Sequence, residues 1–212
     1  MIRLALPKGR NLETALLAFA AGGLDLQDLD SAAARDSRRL WHAFPALGCE
    51  VLLLKDRDLP LYIEYGIADL GIVGSDVLEE EGGDLLVPSR LLDGRCRLSL
   101  IGRAGSLPKA GAQVRLASKY PNTTRRILEE KSWGAEILEL SGSVELAPLL
   151  DLAEVAIDIV QTGRTLQENG LVELEILREV APCLVVNRAA FHKQRAEIND
   201  LIDRFEKAGV AE

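Results

Sequence analysis

Short apolar runs of strand length alternate with segments of helical periodicity along almost the whole chain, which restricts it to an α/β architecture. Residues 2–6 read as a strand. Residues 12–21 read as a helix with Ala15, Leu16, Phe19 and Ala20 on its apolar face, stopped by Gly22-Gly23. The alternation continues with a strand at 49–54, a short helix at 59–65, a strand at 69–73 and a helix opened by Gly74-Ser75-Asp76. It restarts with strands at 113–117, 136–140 and 155–160, separated by helices over 123–131 and 143–150. A short helix at 163–169, strands at 171–180 and 183–186, and a long helix at 190–208 complete the pattern. Strands connected by helices predict mainly parallel sheets covered on both faces. Extended stretches near 91–101 and 177–184 divide two such series, so two lobes joined by two crossings are expected. Lobe I takes residues 1–91 plus 183–212, and lobe II takes residues 92–182. A ligand is then expected in the interlobe cleft, near the carboxyl ends of strands.

The 212 residues are 48% hydrophobic and 27% charged, the balance of a soluble globular chain. No apolar run approaches the roughly 20 residues a bilayer span needs, so no membrane partner is expected. Met1-Ile2-Arg3-Leu4-Ala5-Leu6 enters a strand directly, without a signal-peptide layout, and the expected compartment is the cytoplasm. Cys49, Cys96 and Cys183 are scattered, and His42 and His192 are isolated, which argues against a disulfide framework and a zinc site. The net charge of −8 disfavours nucleic acid. An anionic substrate would need local cations, and the candidates are Lys8 with Arg10, Arg38 with Arg39, Arg95 with Arg97, and Lys119 with Arg125 and Arg126.

The segment Val155-Ala156-Ile157-Asp158-Ile159-Val160-Gln161-Thr162-Gly163-Arg164-Thr165-Leu166 is the most informative. It reads as a buried strand carrying a carboxylate, a Thr-Gly turn, and a helix start. Free N–H groups in such a turn can seat a phosphate monoester, and Asp158 can accept hydrogen bonds from sugar hydroxyls. The plainer reading is a strand-to-helix turn with Thr162 as N-cap. Leu6-Pro7-Lys8-Gly9-Arg10 follows the first strand, where Gly9 permits close approach and the two bases supply fixed charge. Gly74-Ser75-Asp76 reads as an anion or hydroxyl turn, or simply as an N-cap. Ser118-Lys119-Tyr120-Pro121-Asn122 opens a helix, and Tyr120 offers either a flat face for a purine or a core side chain. No nucleophile–histidine set and no Walker loop can be assembled. The chain is suited to displacement at a sugar carbon, governed by positioning and charge stabilisation.

Together with Asp69-Leu70-Gly71-Ile72-Val73-Gly74, Ser141-Gly142-Ser143-Val144-Glu145 and Asn169-Gly170-Leu171, these segments resemble, in order, the ATP phosphoribosyltransferases of histidine biosynthesis. The resemblance implies a two-lobed fold like that of periplasmic binding proteins. It implies transfer of the phosphoribosyl group of phosphoribosyl pyrophosphate to N1 of ATP, with release of pyrophosphate and with Mg²⁺ carried by the substrates. The family's C-terminal regulatory domain has no counterpart, as in the short form that works with a regulatory subunit similar to histidyl-tRNA synthetase. A homodimer within a hetero-oligomer is the implied assembly. By position, Asp158 would hold the ribose hydroxyls, and Gln161, Thr162, Gly163, Arg164 and Thr165 the 5-phosphate. Arg10, Arg38 and Lys8 would stabilise departing pyrophosphate, while Tyr120, Lys119, Asp69 and Gly71 would serve ATP. Gln161 and Arg164 depart from the family's small or hydroxylic residues, which leaves the backbone donors in place. Two other functions fit the same outline: a two-lobed solute-binding module without catalysis, and a phosphoribosyltransferase that uses another base.

Overall fold

Apolar strand residues and one left-handed glycine set the first turn of the fold. In the computed structural model, which describes residues 1–30, 39–109, 111 and 113–212, β1 (Ile2–Pro7) buries Leu4, Ala5 and Leu6 completely. Gly9 takes φ +81°, a value glycine adopts without steric cost, and directs the chain into α1 (Arg10–Ala21). There follow β2 (Trp41–Phe44), β3 (Cys49–Leu54), α2 (Leu59–Glu64), β4 (Leu70–Gly74), α3 (Ser75–Glu81) and β5 (Leu85–Arg90). Next come β6 (Cys96–Gly102), β7 (Gln113–Ser118), α4 (Pro121–Lys131), β8 (Gly134–Glu139), α5 (Leu146–Leu149), β9 (Val155–Val160) and α6 (Arg164–Glu168). The chain ends with β10 (Val172–Val180), β11 (Pro182–Asn187), α7 (Arg188–Lys193) and α8 (Arg195–Lys207). Contacts group it into two units, Met1–Arg95 with Ala181–Glu212, and Cys96–Val180.

The first unit is a sheet in the order β2-β3-β1-β4-β11-β5. β3, β1 and β4 are parallel, while β2 and β11 run against their neighbours, so β1, β3, β4 and β5 share one direction. Alternate residues of β1 feed opposite faces, as strand geometry requires. Leu4 and Leu6 join a core with Phe19, Leu201 and Phe205, whereas Ala5 joins Leu59, Ile63 and Val77 on the other side. Phe19 of α1 and Phe205 of α8 meet edge to face, with centroids 5.4 Å apart. Asn187 is buried and fully employed. Its Nδ2 donates to the carbonyls of Ile63 and Glu64 at 2.8 and 2.9 Å, and its Oδ1 accepts the Ala190 amide at 2.8 Å, which caps α7.

The second unit has the order β10-β6-β9-β7-β8. β8, β7 and β9 are parallel, and β6 runs antiparallel between β9 and β10. Ile157 packs with Leu98, Leu100, Leu116 and Ile127 on one face; Ala156 and Val160 pack with Val144, Ala147 and Leu166 on the other. Both sheets are therefore covered on both faces, with most strands pointing one way. They are mixed because β2, β6 and β11 run against their neighbours; the expected strands at 171–180 and 183–186 are present as β10 and β11, and the extended stretch near 91–101 contributes β6. Among the described residues, no helix is long and apolar enough to cross a membrane.

Three elements differ from the sequence reading. β2 was not expected; it is four residues long and half exposed, which leaves little apolar periodicity to detect. The expected helix over 143–150 contracts to Leu146–Leu149, because Ser143 takes φ +46° and turns the chain before it. The terminal helix is broken at Gln194 into α7 and α8.

Candidate functional site

β7 and β9 lie side by side with Ser118 level with Ile157, so the next residues, Lys119 and Asp158, emerge at the same level from the carboxyl ends of adjacent parallel strands. Lys119 Nζ stands 2.9 Å from Asp158 Oδ1, and the two side chains are 34% and 14% exposed. The same oxygen accepts the Ile159 amide at 2.7 Å. Oδ2 accepts no hydrogen bond from a described residue. The turn carrying Lys119 is fixed from below: the buried Ser118 hydroxyl accepts the Tyr120 amide and bonds Thr124 Oγ1, both at 3.0 Å. Tyr120 itself is half buried, packed against the Leu98–Ile127 core.

Beyond β9, Gln161, Thr162, Arg164 and Thr165 are exposed. Gly163 takes φ +76° and ψ +2°, the left-handed conformation found in anion-binding nests. Among the described residues, the amides of Thr162, Gly163 and Thr165 donate to no backbone carbonyl. Among the same residues the Arg164 amide reaches only Thr162 Oγ1, at 3.4 Å. With five residues, α6 is short for a large macrodipole, so the turn's own N–H groups are the main donors an anion would meet. Arg164 points outward, 82% exposed and paired with Glu168 at 2.7 Å. The Gly74-Ser75 turn is different: its donors are consumed, the Ser75 amide by the Ala181 carbonyl at 2.9 Å, while Ser75 Oγ accepts the Ala181 amide at 3.1 Å.

Antiparallel pairing sets Ser99 opposite Asp158 and Arg97 opposite Val160. Both bind Glu173 of β10: Arg97 through Nε and Nη2 at 2.8 and 2.9 Å, Ser99 through Oγ at 2.5 Å. Arg97 was visible in the sequence as half of a basic pair, but Glu173 lies 76 residues away and nothing local marks it. Hydrogen bonds from Arg97 hold the Glu173 carboxyl below its ordinary range, with Ser99 assisting and burial opposing. A carboxylate with a depressed folded pKa stabilises the fold above its unfolded pKa and loses that contribution as pH falls through the folded value. Glu173→Gln is therefore expected to lower the melting temperature by about 2–4 °C at pH 7. The deficit should shrink steadily below about pH 4; a deficit of equal size at pH 3, followed by thermal unfolding, would contradict the ion pair's role.

In the first unit, Lys8 follows β1, its amide bonded to the Leu54 carbonyl at 2.9 Å, and Arg10 is the first residue of α1. Lys8 faces a depression of about 750 Å³ shared with Lys55 and Arg57 and with the carboxylates of Asp56, Asp58, Glu64 and Glu81. Lys8 makes no ion pair with a described residue. Asp69 lies at the other end of this sheet, before β4, where its Oδ2 accepts the Arg3 amide at 2.7 Å. Gly71 is buried against β1: a Cβ there would stand 2.2 Å from the Ala5 carbonyl oxygen. Arg38 lies outside the described residues.

A mixed sheet in which a strand carries a carboxylate near its carboxyl end and is followed by a left-handed glycine and unpaired amides belongs to the α/β proteins that seat phosphorylated ligands at strand ends. Comparison with known proteins narrows that class. The family model described as HisG: ATP phosphoribosyltransferase matches residues 55–207. An ATP phosphoribosyltransferase of Thermus thermophilus is 44% identical over 203 residues, which are 96% of this chain and 94% of that protein. ATP phosphoribosyltransferase 2 of Geobacter sulfurreducens is 39% identical over 97% of each chain. Among solved structures, a chain of the ATP phosphoribosyl transferase (HisG:HisZ) complex from Thermotoga maritima matches with a TM-score of 0.81 and 31% identity, covering 98% of both chains. The chain belongs to the ATP phosphoribosyltransferase family, with its periplasmic-binding-protein-like fold, and is an enzyme of the glycosyltransferase type. Enzymes of this family need a divalent metal. Among the described residues, no three His, Cys, Asp or Glu side chains gather where they could hold one.

Proposed function

We propose that residues 161–165 of the second unit seat the 5-phosphate of phosphoribosyl pyrophosphate and that Asp158 binds its ribose hydroxyls. The reaction is the family's: the phosphoribosyl group passes to N1 of ATP with release of pyrophosphate, the first step of histidine biosynthesis. The observation that carries the site reading is the set of amides at Thr162, Gly163 and Thr165 that find no carbonyl among the described residues, beginning four residues after a part-buried carboxylate whose Oδ2 accepts no hydrogen bond from them. Adenine N1 attacks the anomeric carbon as the bond to pyrophosphate breaks, through an oxocarbenium-like transition state. Lys8, Arg10 and Arg38 take up the negative charge that grows on the leaving group. The divalent ion would be Mg²⁺ carried by the substrates, and it would supply further charge neutralisation at the leaving group beside the three cationic side chains. Tyr120 lies near the adenine.

The Thermotoga maritima neighbour comes from a HisG:HisZ complex. By that likeness, this chain works as a homodimer within a hetero-oligomer containing a regulatory subunit similar to histidyl-tRNA synthetase, in the cytoplasm. Asp69 and Gly71, expected at ATP from the family resemblance, have packing duties in this fold, and we assign their segment to support of the site. The test is to incubate the chain and its regulatory subunit with ATP, phosphoribosyl pyrophosphate and Mg²⁺ and follow the absorbance of the adduct. Product that requires both substrates is expected. Turnover with a free base but none with ATP would reassign the acceptor.

A further inference from the structure

The family resemblance places Lys119 beside ATP, yet its ammonium is engaged elsewhere, 2.9 Å from Asp158 Oδ1. That oxygen is held by two donors on different strands, the Lys119 ammonium from the end of β7 and the Ile159 amide of β9. A carboxylate anchored in this way cannot rotate without breaking both contacts, so Oδ2 is the oxygen presented outward. Lys119 is fixed in turn, because the Ser118 hydroxyl bonds the next amide and Pro121 opens α4 immediately beyond. The arrangement costs little to maintain when a ligand arrives: the ion pair is only part exposed, and the rotamer entropy of both side chains is already lost.

Resting on the proposed site, we infer that Lys119 is a positioning residue for the phosphoribosyl donor: it clamps Asp158 Oδ1 so that Oδ2 meets the ribose hydroxyls. The role works through Asp158, which sets its signature. Removing the ammonium leaves Oδ1 with the Ile159 amide alone, and the carboxylate then has to be ordered by the substrate itself. The cost falls on phosphoribosyl pyrophosphate and spares ATP.

The test measures KM for each substrate with the complete chain and its regulatory subunit, for Lys119→Met, Lys119→Arg, Asp158→Asn and the double variant Lys119→Met/Asp158→Asn. Lys119→Met is expected to raise KM for phosphoribosyl pyrophosphate by about tenfold with KM for ATP within about twofold. Lys119→Arg, which keeps the charge, should recover part of the loss and shows that folding is intact. Because the two residues act as one unit, the double variant should be no worse than Asp158→Asn alone. A rise in KM for ATP alone, equal rises for both substrates, or losses that multiply in the double variant would each overturn the inference. If Asp158→Asn raises KM while Lys119→Met does not, the inference falls and the site stands. If neither variant moves KM for phosphoribosyl pyrophosphate, both the inference and the site are wrong.

Discussion

Gly71→Ala is expected to leave little stably folded protein, with a loss of about 3 kcal/mol or more. β4 lies against β1 with Gly71 level with Ala5, and the added Cβ would come 2.2 Å from the Ala5 carbonyl oxygen, 3.1 Å from its carbonyl carbon and 3.1 Å from Ile63 Cδ1. Ile63 could shift, but the carbonyl belongs to a strand paired on both sides by β3 and β4. Relief would require separating the two strands that carry the core on both faces. Urea or thermal unfolding of the variant, together with its soluble yield, measures the effect. A melting temperature within about 2 °C of the parent would show that the strands can separate without penalty. The same packing explains why substitutions here cannot report on ATP binding.

Asp158→Asn is expected to weaken phosphoribosyl pyrophosphate binding by about 10–100-fold, because hydrogen bonds to a charged acceptor contribute about 1.5–3 kcal/mol. The amide keeps the shape of the side chain but loses the charge that the Lys119 ammonium faces, and it can turn a donor toward groups that themselves donate. Asp158 is buried enough for the effect to escape solvent screening, with 14% of its side chain exposed. Titration of both proteins with phosphoribosyl pyrophosphate decides the matter, and coincident curves would remove Asp158 from the site.

The sequence reveals elements that carry their own periodicity and punctuation. β3 and β9 are apolar runs interrupted by one carboxylate each, α1 has a clean apolar face, and their limits follow from residues 49–54, 155–160 and 12–21 almost directly. Strand direction was less legible. β6 and β11 are as apolar as their parallel neighbours, so nothing in their composition separates a crossing segment from a central antiparallel strand. The 161–165 turn was readable because glycine at a left-handed position leaves a mark in the chain. The Glu173–Arg97–Ser99 network and the Lys119–Asp158 pair were not, since both join residues distant in sequence that meet only through sheet register. Asp69 and Gly71 lie in a motif shared with the family that also has a packing part in this fold, through the Arg3 amide and the Ala5 carbonyl.

Amide resonances of the isotope-labelled chain, followed while phosphoribosyl pyrophosphate with Mg²⁺ is added, test the central claim most directly. The cross-peaks of Thr162, Gly163 and Thr165 should move furthest and saturate together, as N–H groups without a carbonyl partner acquire phosphate oxygens. Peaks for these three that stay in place at saturation, while others shift, would contradict the account.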